Sequence, residues 1–240
     1  MKKPSQIQKR FVVFLDIMGF KDRVARNTPE KLYDELTDFN KDITNIINSS
    51  KEVVIKDLGE QSGESDIADI ISDENISNIL LAQFSDSIVL FSRDAEKDSL
   101  LAISNVARQI MISAINRETP IPLKGALAEG SITCDMPKQL FFGQALIDAY
   151  LLEENVQYYG IVVHHTAEKS VIDSGLEMFK NTLVPLKSGN INHYELVWYN
   201  ENLEDIRFGL NKIRLSVSDS PRKYIDNTNL IIDSYIKTKQ

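Results

Sequence analysis

Phe11-Val12-Val13-Phe14-Leu15 is an unbroken run of β-branched, aromatic and aliphatic residues that ends directly on Asp16. Such a run suits a strand covered on both faces, so the chain must build layers on either side of it. A carboxylate at the end of a buried strand is costly unless it is solvated, paired or metal-bound. Gly19, close behind, marks a turn. From Pro29 to Ile47 the apolar residues Leu32, Leu36, Phe39, Ile43 and Ile46 recur at helical spacing. Thr28 supplies a cap and Pro29 a first helical residue. Lys51 to Ser77 is polar and acidic, and reads as an insertion or ragged hairpin.

Two further apolar runs, Ile79–Phe84 and Ile88–Phe91, flank Ser85-Asp86-Ser87 and predict a β-hairpin. An amphipathic helix follows over Ser99–Ile115, then a strand over Leu123–Ala128. Leu140–Phe142 reads as a short strand leading through Gly143 into a helix over Gln144–Glu153. Gly160–His164 reads as a strand, and Leu183–Leu186 with His193–Trp198 as a closing hairpin. A polar linker and a helix over Pro221–Lys237 end the chain. Strands mixed with helices around a central hairpin predict an α+β fold of ferredoxin-like or palm type, a central mixed sheet with helices packed on it.

In that arrangement the first strand and the central hairpin are neighbours, which brings Asp16 and Asp86 to one end of the sheet. Two adjacent carboxylates repel, and a proton or divalent cations relieve them. Hard oxygen ligands with open positions suit Mg²⁺ or Mn²⁺ carried with substrate phosphates.

Composition narrows the class. With 27 basic and 35 acidic residues the net charge is −8, which disfavours wrapping of DNA or RNA. The basic start, MKKPSQIQKR, precedes an apolar run that Asp16 interrupts, so no signal peptide or membrane span is expected and the reading is cytoplasmic. The lone cysteine, Cys134, allows no internal disulfide. His164, His165 and His193 lack a cysteine cluster and do not suggest zinc.

Phe14-Leu15-Asp16-Ile17-x-Gly19-Phe20 resembles the F-x-D-I-x-G-F motif on the first strand of class III nucleotidyl cyclases. Phe84-Ser85-Asp86-Ser87 resembles the family's second metal-aspartate motif, where a glycine usually precedes the aspartate. The Leu123–Gly130 segment, LKGALAEG, is similar to the R-x-G-(I/A)-x-x-G strand. Gly143–Glu153, GQALIDAYLLE, is similar to the G-x-x-V-N-x-A-x-R-L-E helix. Val184–Val197 resembles the closing K-G-x-G-x-x-x-x-Y-x-V hairpin, with Lys187 at its lysine. The resemblance is collinear over Phe11–Trp198.

The resemblance implies a catalytic domain over residues 1–200; the remaining 201–240, outside it, reads as a C-terminal helical extension and dimer brace. It implies that Asp16, the carbonyl of Ile17 and Asp86 hold two Mn²⁺ or Mg²⁺ ions on a nucleoside triphosphate. The 3′-hydroxyl then attacks the α-phosphorus, giving a cyclic nucleotide and pyrophosphate. Lys124 stands where an arginine touches the polyphosphate, keeping the charge without the bidentate fork. Lys187 would join Asp16 and Asp86 in catalysis by contacting the triphosphate across a head-to-tail homodimer. Phe14, two residues before Asp16 and on the same strand face, could line the base pocket.

The sequence also departs from the family. Its transition-state asparagine and arginine fall on Ile147 and Leu151, its adenine-specifying lysine on Ala82 and its base-contacting aspartate near Leu140. Loss of purine determinants with both aspartates retained is similar to the pyrimidine cyclases of bacterial Pycsar anti-phage systems. That similarity implies a cyclic UMP or cyclic CMP product, with UTP favoured as substrate. A catalytically inactive cyclase-fold module is the rival reading, and a palm-type enzyme making dinucleotides is another. The latter lacks its G-G-D-E-F-like hairpin here.

Overall fold

The computed structural model describes residues 7–61 and 79–239, with side chains described for 7–50 and 79–239. In chain order the elements are β1 (Ile7–Ile17), α1 (Phe20–Arg26), α2 (Pro29–Gln61), β2 (Ile79–Phe84), β3 (Ser87–Ser92) and α3 (Lys97–Asn116). There follow β4 (Leu123–Asp135), β5 (Leu140–Gly143), α4 (Gln144–Glu153), β6 (Ile161–Val163) and α5 (His165–Ser174). The chain closes with β7 (Phe179–Leu186), β8 (Gly189–Leu196), α6 (Leu203–Ser216) and α7 (Ser220–Lys239).

The strands form one mixed sheet in the order β2-β3-β1-β4-β6-β8-β7, with β5 paired on β4. The β4–β6 pair is parallel and the other strand pairs are antiparallel. The apolar run of β1 therefore sits between β3 and β4, where both edges are hydrogen-bonded and both faces are covered. Side chains alternate across a strand. Phe11, Val13, Leu15 and Ile17 join the larger core with Phe39 and Ile43 of α2 and Leu100, Ile103 and Ile110 of α3. Val12 and Phe14 point the other way, into a smaller cluster with Val89, Phe91, Ala128 and Ile132, roofed by Ala145 and Ala149 of α4. Complete burial of each such aliphatic or aromatic side chain contributes about 1.5–3 kcal/mol. The alternation also assigns Asp16 to the face that α4 covers.

Helix α2 begins where the sequence predicts: the Lys31 N–H donates to the Thr28 hydroxyl at 3.3 Å. It runs further than the hydrophobic spacing suggests. Residues 51–61 continue its backbone rather than forming a hairpin, and 62–77 of the expected insertion lie outside the described residues. The hairpin at Asp86 has a two-residue loop, with Phe84 opposite Ser87. Ser85 takes φ 56°, backbone geometry that glycine adopts without strain.

Two helices correct the sequence reading. His164 does not extend β6; its side chain accepts from the Thr166 N–H and caps α5, which ends at Gly175 in the left-handed region. The stretch after Asn200, read as a polar linker, forms α6, whose Ile206, Leu210 and Ile213 are buried. Helix α7 buries Ile225, Thr228, Ile231 and Ile232. The C-terminal pair thus adds to the larger core of its own chain. Among the described residues no helix is long and apolar enough to cross a membrane.

Candidate active site

Asp16 is the last residue of β1 on the face beneath α4. In register it lies opposite Ser87 of β3 on one side and Lys124 of β4 on the other. The Ile17 N–H donates to the backbone carbonyl of Asp86 at 2.9 Å, which fastens the tip of the β2–β3 hairpin to the end of β1. The two aspartates, seventy positions apart in the chain, thus meet at one end of the sheet. Phe14, one step back on the same face, packs edge-to-face on Tyr150 of α4, with ring centroids 5.5 Å apart.

The electrostatics of this corner are unbalanced toward negative charge. The Asp16 carboxyl is pushed up to about 7 from an ordinary 3.8. Burial is the main cause, then the charges of Glu153 and Asp86, partly offset by Lys124. Neither Asp16 nor Asp86 has a side-chain hydrogen bond or ion pair among the described residues.

Lys124 and Lys187 are placed differently from one another. The Lys124 side chain is 8% exposed, and its ammonium lies 2.8 Å from Glu153 Oε1. It also donates to the Glu153 backbone carbonyl at 3.0 Å. The charge beneath Asp16 is therefore tied to the last residue of α4. Lys187 stands exposed on the β7–β8 turn, and its N–H donates to the Asn155 carbonyl at 2.8 Å. Its ammonium is close enough to Glu153 to pull that carboxyl down, against the burial that raises it.

Glu153 is the residue of this corner that reading by motif passed over. The signal was in the sequence: a lysine inside the apolar Leu123–Ala128 strand needs a buried acid, and Glu153 ends an apolar helix. On the outer side of α4, Ile147 and Leu151 are about half exposed. They can donate no hydrogen bond to a substrate.

The donor set fits a hard divalent cation. Two unpaired carboxylates share a corner with excess negative charge, and burial makes one of them, Asp16, keep its proton to higher pH. Among the described residues no group of three or more acidic, histidine or cysteine side chains is arranged to hold a metal ion. A cation here takes at most two side chains from this chain, with its other positions left for backbone, water or phosphate oxygens.

No protein-family model matches the chain, and no curated protein matches it. Solved structures do resemble it. The catalytic core of a rhodopsin-guanylyl cyclase with converted specificity, in complex with ATPalphaS, superposes with a TM-score of 0.53 at 13% identity. That match covers 79% of this chain and 95% of the other. The fold is that of class III nucleotidyl cyclases. The guanylate cyclase domain of RhGC from Catenaria anguillulae, in complex with GTP, gives 0.52 at 13% identity over 79% of this chain and 96% of that one. An adenylate/guanylate cyclase/hydrolase from Silicibacter pomeroyi gives 0.51 at 16% identity, over 80% and 97%. The expected cyclase-type α+β sandwich is thus the observed one, and Asp16 and Asp86 stand at one end of its sheet.

Proposed function

We propose that the protein is a nucleotide cyclase that converts a pyrimidine nucleoside triphosphate, UTP in preference to CTP, to the 3′,5′-cyclic nucleotide and pyrophosphate. The observation that carries this reading is the meeting of two unpaired carboxylates, Asp16 and Asp86, on a nucleotidyl cyclase fold. Asp16, Asp86 and the Ile17 carbonyl would hold two Mn²⁺ or Mg²⁺ ions. Bound there, divalent ions supply charge neutralisation on the triphosphate and activation of the attacking hydroxyl.

The chain's own residues do the rest. Asp16 and Asp86 fix where the triphosphate sits relative to the end of the sheet. Lys187, exposed on its turn, supplies positive charge to the polyphosphate as the O3′–phosphorus bond forms and pyrophosphate leaves. In this reading it acts across a homodimer. The exposed apolar side chains of Leu140 and Phe142 on β5 and Ile147 and Leu151 on α4 give a second copy something to cover. Lys124, held by Glu153, sets the potential beneath Asp16 and lends its charge to the phosphates at longer range. Phe14 lines the base side. Base choice follows from the missing purine determinants at Ala82 and Leu140, and a cyclic pyrimidine product fits second-messenger synthesis in anti-phage defence.

A second reading, an inactive cyclase-fold module that binds nucleotide or protein, is favoured by one observation: Ile147 and Leu151 offer nothing to a transition state. Incubating the protein with ATP, GTP, CTP or UTP and Mn²⁺, with mass-spectrometric identification of products, separates the two. A 3′,5′-cyclic pyrimidine is the expected product, and absence of turnover with all four would leave the inactive module. A linear or cyclic dinucleotide would point instead to palm-type transfer.

A further inference from the structure

Both candidate phosphate-binding lysines are fastened to one short connection, residues 153–160, which joins α4 to β6. Lys124 holds Glu153 by side chain and backbone. The Lys187 N–H is bonded to Asn155, and the Gln157 N–H donates to the Pro185 carbonyl at 2.9 Å, two residues before Lys187. At the far end of the connection the Gly160 carbonyl accepts from the Gly125 N–H at 2.8 Å, one residue beyond Lys124.

The connection is held in turn by the C-terminal helix. Asn227 Nδ2 donates to the Gln157 carbonyl at 2.7 Å, and the Thr228 hydroxyl accepts from the Tyr159 N–H at 2.9 Å. Gln157 Nε2 donates to the Tyr224 hydroxyl at 3.0 Å. The Tyr224 ring stacks on Tyr159, with centroids 5.9 Å apart and planes within 18°. Trp198 closes the far side, its indole N–H on the Tyr159 carbonyl at 3.1 Å. Helix α7 thus reaches the phosphate end of the site through a single side-chain layer.

The geometry points to Tyr224 as a positioning residue for the triphosphate: acting through Gln157 and the 153–160 connection, helix α7 sets where Lys124 and Lys187 stand. The Tyr224 hydroxyl lies within the field of the same charges, with burial raising its pKa first and Lys187, Glu153 and Asp16 each contributing. The C-terminal segment would then be part of the catalytic apparatus, through Lys124 at its own chain's site and through Lys187 at the site across the homodimer. This rests on the cyclase reading above, because it needs a triphosphate at that end of the sheet.

The test is Tyr224→Phe, which keeps the ring stack and removes the acceptor for Gln157. Loss of one such hydrogen bond is expected to raise KM for the triphosphate about fivefold. The inhibition constant of inorganic pyrophosphate should weaken by the same factor. The kcat should change by less than about twofold, inhibition by the bare nucleoside should not change, and Tm should stay within about 2 °C. Gln157→Leu approaches the same bond from its other end and should reproduce the pattern. Combined with Lys187→Ala, the Tyr224→Phe loss should be less than multiplicative. If the wild type turns over but Tyr224→Phe leaves KM and pyrophosphate inhibition unchanged, the positioning role is wrong and the cyclase reading stands. Equal weakening of pyrophosphate and nucleoside with a fall in Tm would mean a merely structural role and overturn the proposal. A wild type that neither binds nor turns over any triphosphate overturns both.

Discussion

Replacing Asp16 with asparagine should make the protein more stable and inactive at once. The folded Asp16 carboxyl keeps its proton up to about 7, whereas in the unfolded chain it ionises near 3.8. Between those values the native state binds more protons than the unfolded one, so stability falls as pH rises from 3.8 to about 7. The full interval corresponds to at most about 4 kcal/mol. Asp16 is only partly buried, so solvent screening reduces the recoverable amount to about 2 kcal/mol. Asparagine is neutral at every pH and avoids this cost. Urea unfolding across pH, with a chelator present, should therefore show Asp16→Asn more stable than wild type by about 2 kcal/mol at pH 8. The advantage should shrink steadily as pH is lowered toward 4. Adding Mn²⁺ should stabilise the wild type and not the variant, since binding to the native state alone raises stability. Equal or lower stability of Asp16→Asn at pH 8 would refute the claim that burial, helped by the neighbouring carboxylates, makes the ionised Asp16 costly in the folded state.

Two further outcomes follow from buried charge elsewhere. Glu195 accepts hydrogen bonds from Tyr199 at 2.7 Å and Tyr158 at 3.1 Å, yet burial pushes its carboxyl up to about 7 from 4.5. Stability should fall through that pH interval for the same reason, and Glu195→Gln should flatten the wild-type profile by about 2 kcal/mol without touching nucleotide turnover. Breaking the Lys124–Glu153 pair from one side should cost about 3 kcal/mol in urea unfolding, because the remaining charge is left buried. The double variant Lys124→Met with Glu153→Leu should recover most of that loss, and additive losses would show that the two groups do not depend on each other.

Residues 11–15 announced a central strand because nothing but burial on both faces accommodates such a run, and helix α4 was legible to the residue from Gln144 to Glu153. Short-range patterns of this kind survive folding. Helix α6 was missed although Ile206, Leu210 and Ile213 keep helical spacing, because Gly209 interrupts it. The structure explains that glycine: a Cβ there would run into the backbone carbonyl of Ile115, so α6 crosses α3 closely. Helix α5 carries few apolar residues, and its cap, His164, reads in sequence as the end of a strand. Over 51–61, Val54 and Leu58 continue the helical spacing from Ile47, but the charged residues among them and Gly59 obscured that α2 would go on. At the site, motif spacing led to Asp16 and Asp86, each of which is marked by its own neighbours. Glu153 was marked only indirectly, by the lysine inside the Leu123–Ala128 strand that needs an acid, and Gln157 and Tyr224 were silent, because their meaning lies in what α7 brings beside the connection and not in adjacent residues.

The central claim is that Asp16 and Asp86 together hold divalent cations beneath a nucleotide's phosphates. Crystals grown with Mn²⁺ and a non-hydrolysable UTP analogue, measured at the manganese absorption edge, test it directly. Anomalous peaks bound by both carboxylates, with the triphosphate on their open side, are the expected result. Manganese elsewhere, or a nucleotide seated away from the ends of β1 and the β2–β3 hairpin, would contradict the account.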